Sequence, residues 1–193
     1  MRIISGVAKG RGLISPPDER VRPTSDRARE ALFSSLDSEF AGLEGIRFLD
    51  LFAGSGAVAA EALSRGAAFI SAIEIDRTAY QIARENIEMV HQYIPSSAIE
   101  IHQSSVENFL ISKSDKPFDV IFLDPPYSLN DENVSEILTT LLKNHYLGES
   151  SLIALERQSR GRGFTWPPGL VEVKSKRYGH AKLYFGELDR VKL

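Results

Sequence analysis

The chain has no cysteine, and no apolar stretch approaches the ~18 residues that a membrane span requires. Without cysteine there are no disulfides, thiolate metal sites or cysteine nucleophiles. Chemistry that attacks a pyrimidine ring through a Cys adduct is excluded with them. The four histidines (His91, His102, His145 and His180) share no ligand spacing, so no metal site is expected. Met1-Arg2-Ile3-Ile4-Ser5-Gly6 lacks the apolar core and cleavage site of a signal peptide, which implies a cytoplasmic protein. A large positive excess is also missing, because the net charge is −3.

What charge there is lies unevenly. Lys9, Arg11, Arg20, Arg22, Arg27 and Arg29 crowd the first thirty residues, and Arg157, Lys174, Lys176, Arg177, Lys182 and Arg190 mark the tail. The middle is acidic. Basic ends of this kind can track phosphates, with Lys9, Arg11 and Arg22 as the candidate nucleic-acid contacts. Arg27 and Arg29 also fall in the first turn of a helix expected from Asp26, capped by Thr24 or Ser25. The helix dipole disfavours cations there, which hints at a ligand for at least one of the two.

A length of 193 residues indicates one domain with a small appendage. Residues 1–22 alternate short apolar stretches with Gly and Pro, and read as a basic β-hairpin arm outside the core, with a mobile tip at Lys9-Gly10-Arg11-Gly12. Residues 23–193 form the main domain. From Ile46 the pattern alternates strand and helix: strands at Ile46–Phe52, Phe69–Ile75, Ala98–His102, Phe118–Leu123 and Ser151–Glu156, with helices at Ala57–Arg65, Arg77–His91, Val106–Ser112 and Glu132–Asn144. Such alternation builds right-handed βαβ units and a mostly parallel sheet. Leu170–Tyr178 and Ala181–Glu187, separated by Gly179-His180, read as an antiparallel hairpin. The fold class is α/β and Rossmann-like.

Two motifs carry the chemistry. Asp124-Pro125-Pro126-Tyr127 follows the apolar strand Phe118–Leu123. Each proline fixes its own φ and keeps the preceding residue extended. A carboxylate, stiff carbonyls and an aromatic ring therefore gather at the carboxyl end of a strand, where open α/β sheets bind ligands. That set suits a flat group bearing an NH2. Asp50-Leu51-Phe52-Ala53-Gly54-Ser55-Gly56 follows the first strand and opens a helix, whose free N–H groups attract an anionic group. A dinucleotide pyrophosphate and a methionine carboxylate both fit that description. Asp50 separates them, since a carboxylate there suits an ammonium or sulfonium and repels a pyrophosphate. Glu74, ending the second strand, suits a ribose diol. S-adenosylmethionine is the favoured cofactor over NAD.

With Glu74 and Asp124–Tyr127, the Asp50–Gly56 loop resembles those of class I S-adenosylmethionine-dependent methyltransferases. Arg22-Pro23-Thr24-Ser25-Asp26-Arg27-Ala28-Arg29-Glu30-Ala31-Leu32-Phe33 and Glu61-Ala62-Leu63-Ser64-Arg65-Gly66-Ala67 resemble the bacterial family that methylates the exocyclic N2 of guanine-966 in 16S ribosomal RNA. The resemblance runs from Arg2 to Gly179. It implies a seven-stranded sheet with a reversed last strand, and a cofactor site of Asp50, Phe52, Gly54, Gly56, Glu74, Ile75, Ser105 and Val106. Ile75 would lie against adenine. The family has Asp where this chain has Ser105, whose hydroxyl still accepts a hydrogen bond, without charge assistance. The resemblance also sets Arg22–Arg29 beside the methionine end, with Thr24, Asp26 and Arg29 as candidates. Asp124, Pro125, Pro126 and Tyr127 would bind the target base. The implied partner is 16S rRNA, naked or in the assembled small subunit, and a monomer is expected.

The rivals are a DNA adenine-N6 or protein glutamine-N5 methyltransferase, which more often carry Asn-Pro-Pro-Tyr, and a non-catalytic RNA-binding assembly factor. Glu156 reads as peripheral and Tyr178 as core-facing.

Overall fold

The computed structural model describes residues 1–16, 26–159 and 163–190. Its elements are α1 (Asp26–Phe40), β1 (Arg47–Asp50), α2 (Ala57–Ser64), β2 (Phe69–Glu74), α3 (Arg77–His91), β3 (Ala98–Gln103), α4 (Val106–Phe109), β4 (Phe118–Leu123), α5 (Asp131–Lys143), β5 (Leu147–Gln158), β6 (Leu170–Tyr178) and β7 (Ala181–Leu188). The seven strands lie in the order β3-β2-β1-β4-β5-β7-β6. The pairs β3–β2, β2–β1, β1–β4 and β4–β5 are parallel, while β7 runs antiparallel to both β5 and β6. The sheet therefore has the mostly parallel form and reversed last strand expected from the sequence.

Strand alternation divides the core into two layers. Phe48, Ala72, Val120, Phe122, Ala154 and Leu183 pack with Leu32, Phe33 and Leu36 of α1, with α2, and with Ile87 and Val90 of α3. Leu49, Ile73, Ile121, Leu123, Ile153 and Leu155 pack on the other face against Val106 of α4 and Leu138 and Leu141 of α5. Buried on both faces, the central strands need the continuous apolar runs they carry. Two helix starts are set by local side chains. Asp76 accepts from the Ala79 N–H (2.9 Å) to cap α3, and Asn130 accepts from the Asn133 N–H (2.8 Å) to cap α5.

The arm differs from its expected form. A single antiparallel bridge joins Arg2 to Gly12, and Ile3, Ala8 and Leu13 are buried members of the core. The reason lies in α2, every residue of which is buried. A helix covered all round must satisfy its polar side chains internally. Glu61 accepts from the backbone N–H groups of Ile4 (2.7 Å) and Ser5 (2.9 Å). The Ser64 hydroxyl accepts from Ala8 (3.0 Å) and donates to the Ser5 carbonyl (2.6 Å). The tip is pinned as well, since the Gly10 N–H donates to Ile3 O and the Arg11 N–H to Ala8 O.

Arg29 completes this joint, with Nε and Nη1 left without a hydrogen-bond partner among the described residues. Its guanidinium is buried, donates to the Arg2 carbonyl (2.6 Å) and to Asp26 (2.9 Å), and sits 4.0 Å from Glu61. Asp26 and Glu61 offset part of the desolvation that burial imposes on this cation in the first turn of α1. Of the tail cations, Arg157 pairs with Asp131 (2.7 Å) and donates to the Leu129 carbonyl (2.8 Å), so it anchors the loop after β4.

Gly6 makes the arm's close approach to α2 feasible. Its φ is +79°, and a Cβ there would lie 1.8 Å from the Ser64 carbonyl oxygen. Gly6→Ala should destabilise the fold by about 2 kcal/mol or more, lowering the melting temperature by roughly 4–8 °C for a domain of this size. Thermal unfolding followed by circular dichroism measures this; an unchanged melting temperature would mean the arm does not contribute to folding.

Candidate active site

The carboxyl ends of β2, β1, β4 and β5 each bring one carboxylate to the sheet edge. Register aligns Asp50 with Ala72 of β2 and Phe122 of β4, so Glu74 and Asp124 lie two residues beyond those partners. The residues two before Glu74, Asp50 and Asp124 are Ala72, Phe48 and Phe122, which all face the α1–α3 layer. The period of two puts the carboxylates of β1 and β2 on that same face. They open into a cleft of about 440 Å³, within the usual size range of small-molecule sites.

Asp50, Phe52, Gly54, Glu74, Ile75, Asp124, Pro125, Pro126 and Tyr127 all line this cleft. Asp50 is fully buried, and neither of its carboxylate oxygens has a hydrogen-bond partner among the described residues. Desolvation, then the charges of Asp124 and Glu74, push its carboxyl up to about 8, and the nearby Ala59 and Phe52 N–H groups offset this only in part. A buried, unpartnered carboxylate among like charges is a site for a cationic ligand. Glu74 is different. Its carboxylate accepts from the Gly54 N–H (2.7 Å) and the Asp76 N–H (2.8 Å), which bind the glycine loop to β2 and leave lone pairs for hydroxyl donors. Burial also raises the Glu74 carboxyl, against those hydrogen bonds. Ile75 is 66% exposed beside it and forms an apolar platform.

Other expected site residues are placed elsewhere. Gly56 caps α2 with φ +72°, and a Cβ there would meet the Ala83 backbone at 2.9 Å. It is needed for α2 to pack on α3, and it does not line the cleft. Ser105 caps α4, its hydroxyl accepting from the Asn108 N–H (3.2 Å), while Val106 is buried in the α4–α5 layer. Both lie outside the cleft lining, because the short α4 uses the one as a cap and the other as core. Lys9 and Arg11 are exposed on the arm and do not line the cleft, and the Arg11 guanidinium lies 5.2 Å from the centre of the Tyr93 ring. Thr24 and Arg22 lie outside the described residues.

Glu156, Tyr178 and His180 also line the cleft, and Tyr178 packs against the core as expected. The β6–β7 turn delivers the last two, and only the pairing of β7 with β5 brings that turn to the site. Asn86 of α3 supports the site from behind. It is buried, donates to the Ser55 carbonyl of the glycine loop (2.9 Å) and exchanges two hydrogen bonds with the Ile14 backbone (2.8 and 2.9 Å). Nothing in its sequence context marks it, since an Asn on a helix is ordinarily solvent-facing. Among the described residues no group of His, Asp or Glu is arranged to hold a metal ion, and no helix is long and apolar enough to cross a membrane.

The strand order, the reversed β7 and a cleft across the ends of β1, β2 and β4 define a Rossmann-like methyltransferase fold. The family model described as Conserved hypothetical protein 95 matches residues 1–187, and the chain belongs to that family. It is 34% identical over 180 residues to the ribosomal RNA small subunit methyltransferase D of Haemophilus influenzae, covering 93% of this chain and 89% of that protein. With the Escherichia coli protein of the same name it shares 35% identity over 158 residues, 82% of this chain and 75% of the other. The solved structure of an Escherichia coli protein named as a methyltransferase superposes with a TM-score of 0.82 at 30% identity, over 97% of each chain. The rRNA methyltransferase aviRa of Streptomyces viridochromogenes shares the fold alone, with a TM-score of 0.68 at 15% identity over 90% of this chain and 88% of that one.

The raised Asp50 carboxyl has a signed consequence for stability. The folded protein holds this proton from the ordinary carboxylate range up to about pH 8, whereas the unfolded chain releases it near 4. Stability from this group is therefore full at low pH and is lost as pH rises through that window. The ligand-free Asp50→Asn variant should lack this loss. Its stability advantage over wild type should grow between pH 5 and pH 8 by at least about 1 kcal/mol, a single pKa unit being worth about 1.4. Urea unfolding at several pH values gives the difference; a constant gap across the range would refute the protonation assignment.

Proposed function

We propose that this protein transfers the methyl group of S-adenosylmethionine to the exocyclic N2 amine of a guanine in 16S ribosomal RNA. The observation that carries this reading is the placement of Asp50 and Asp124 in one cleft. The first is an unpartnered carboxylate suited to a cation, and the second opens a Pro-Pro-Tyr segment suited to an aromatic amine. Support also comes from the family and from relatives named as small-subunit rRNA methyltransferases.

S-adenosylmethionine, when bound, supplies a methyl group already activated by its sulfonium. Asp50 would hold the positively charged methionine end, and Glu74 the ribose hydroxyls. The exposed side chain of Ile75 would support the adenine. The N-terminal N–H groups of α2, with Ala57 and Val58 at the cleft, would receive the carboxylate.

For the acceptor, positioning dominates, and orientation of this kind supplies ~7–11 kcal/mol. The guanine amine is a poor nucleophile because its lone pair is delocalised into the ring. Asp124 accepting one N–H, and the Pro125 carbonyl another, would draw the nitrogen toward tetrahedral geometry. Acceptors aimed at that nitrogen stabilise the positive charge that builds on it. Methyl transfer breaks the methyl–sulfur bond and leaves a neutral thioether; the amine that gains the methyl would lose one proton, which Asp124 would take directly or through water. Tyr127 is 42% exposed at the mouth and offers a face for stacking, worth ~1–3 kcal/mol per base. The target must leave its helix or already lie in a loop. Lys9 and Arg11 would follow the phosphates outside the cleft.

Labelled methyl transfer to under-methylated small subunits and to naked 16S rRNA, followed by mapping of the modified base, tests the reading. Methylation of guanine N2 is expected; methyl transfer to adenine N6 or to protein would overturn it. Asp124→Ala should lower the single-turnover rate at least 100-fold while leaving S-adenosylmethionine affinity within about threefold. Asp50→Asn should do the reverse, weakening affinity measured by calorimetry tenfold or more. Tyr127→Ala should raise the RNA KM while Tyr127→Phe keeps most activity; equal losses in both variants would move the role from the ring to the hydroxyl. Charge reversal at Lys9 and Arg11 should flatten the salt dependence of RNA binding, and an unaltered salt slope would remove the arm from the RNA interface.

A further inference from the structure

The cleft holds a further carboxylate, from β5, that neither sequence motif contains. Glu156 lies near the carboxyl end of β5, is 5% exposed, and lines the cleft with Asp124, Pro125 and Tyr127. The parallel register pairs Leu123 with Leu155. Asp124 and Glu156 are the next residues of the two adjacent strands, whose backbones run ~5 Å apart. Leu123 and Leu155 both pack in the α4–α5 layer, so Glu156 is turned to the opposite face, the one that carries Asp50. Its antiparallel partner Leu183 belongs to the α1–α3 layer, in agreement. The site thus holds two carboxylates side by side at its acceptor end.

We propose that Glu156 selects guanine by accepting the ring N1–H while Asp124 accepts the N2 amine. The inference rests on the guanine-N2 reading above and adds the group that recognises the base. Guanine presents N1–H and the amine as adjacent donors on one edge. Two acceptors held by adjacent strands match two adjacent donors. Adenine and cytosine also carry an amine, but the ring nitrogen beside it is a bare lone pair. Opposed to a carboxylate, that lone pair is repelled, and the acceptor is left without a donor. A site built to bond a substrate N–H rejects an analogue lacking it by roughly 10⁴–10⁵-fold. Discrimination of this kind needs a buried acceptor, because water would substitute for the missing donor at an exposed one.

The test uses 16S RNA carrying guanine or 2,6-diaminopurine at the mapped nucleotide, both naked and reconstituted into small subunits. 2,6-Diaminopurine keeps the N2 amine but has a lone pair at N1. Wild-type enzyme should favour guanine by at least 100-fold in kcat/KM. Glu156→Gln can turn an amide N–H toward that lone pair, so it should reduce the preference at least tenfold, with S-adenosylmethionine affinity unchanged. Glu156→Asp keeps the acceptor and should preserve the preference while lowering both rates. Equal loss on the two substrates in Glu156→Gln, or a wild-type enzyme that uses both equally, overturns the inference and leaves guanine methylation standing. A wild-type enzyme that leaves guanine unmodified overturns the guanine-N2 reading, and this inference with it.

Discussion

The site depends on one constraint: a carboxylate held without a partner at the end of a buried strand. Asp50 continues β1 into the cleft with both oxygens unpaired, and Glu74, Asp124 and Glu156 line the same space from β2, β4 and β5. Here the sheet excludes water from Asp50, and the charges of Asp124 and Glu74 add to its desolvation. The cost is met by keeping Asp50 protonated when the site is empty. A cationic donor and an N–H-rich acceptor would relieve it, so the same constraint would favour both ligands of the proposed reaction.

The surroundings hold that row in place. Asn86 connects the glycine loop, through Ser55, to the arm, through Ile14. Glu61 and Ser64 fix the arm to α2, the helix that begins at the glycine loop. The arm is thus part of the cofactor-side architecture as well as the bearer of Lys9 and Arg11. On the acceptor side, Arg157 fastens Leu129 and Asp131, and so restrains the loop that starts with Asp124-Pro125-Pro126-Tyr127. A rigid loop matters to a reaction that relies on orientation.

Much of this was legible in the chain. The 3.6-residue recurrence in Arg77–His91 and the apolar run Phe118–Leu123 matched the observed helix and strand at every boundary, because both signals are local and strong. Asp50, Glu74 and Asp124 were legible because each is a charge ending an apolar strand, a place where burial makes it expensive. What was not legible has a different cause. Gly56 looked like a ligand glycine, yet its lack of a side chain answers the backbone of Ala83, twenty-seven residues away. The arm read as lying outside the core because its few apolar residues are interrupted by glycine and proline. Its anchorage comes from backbone N–H groups that meet Glu61 and Ser64, and backbone groups leave no trace in a sequence pattern. Arg29 suggested a ligand, and the partners the fold supplies are Asp26, Glu61 and a carbonyl of the arm.

Sequence alone determined the order of elements, the mixed sheet, the glycine loop and the carboxylates that end β1, β2 and β4. Each depends on periodicity or on chemistry confined to a few neighbouring residues. Tertiary structure alone decided that Glu156 stands beside Asp124, that Tyr178 and His180 reach the cleft, and that Asn86 ties the arm to the cofactor loop. These depend on strand register and on the return of β7 between β5 and β6. Such pairings join residues far apart in the chain, and the energy that selects them is shared over the whole sheet.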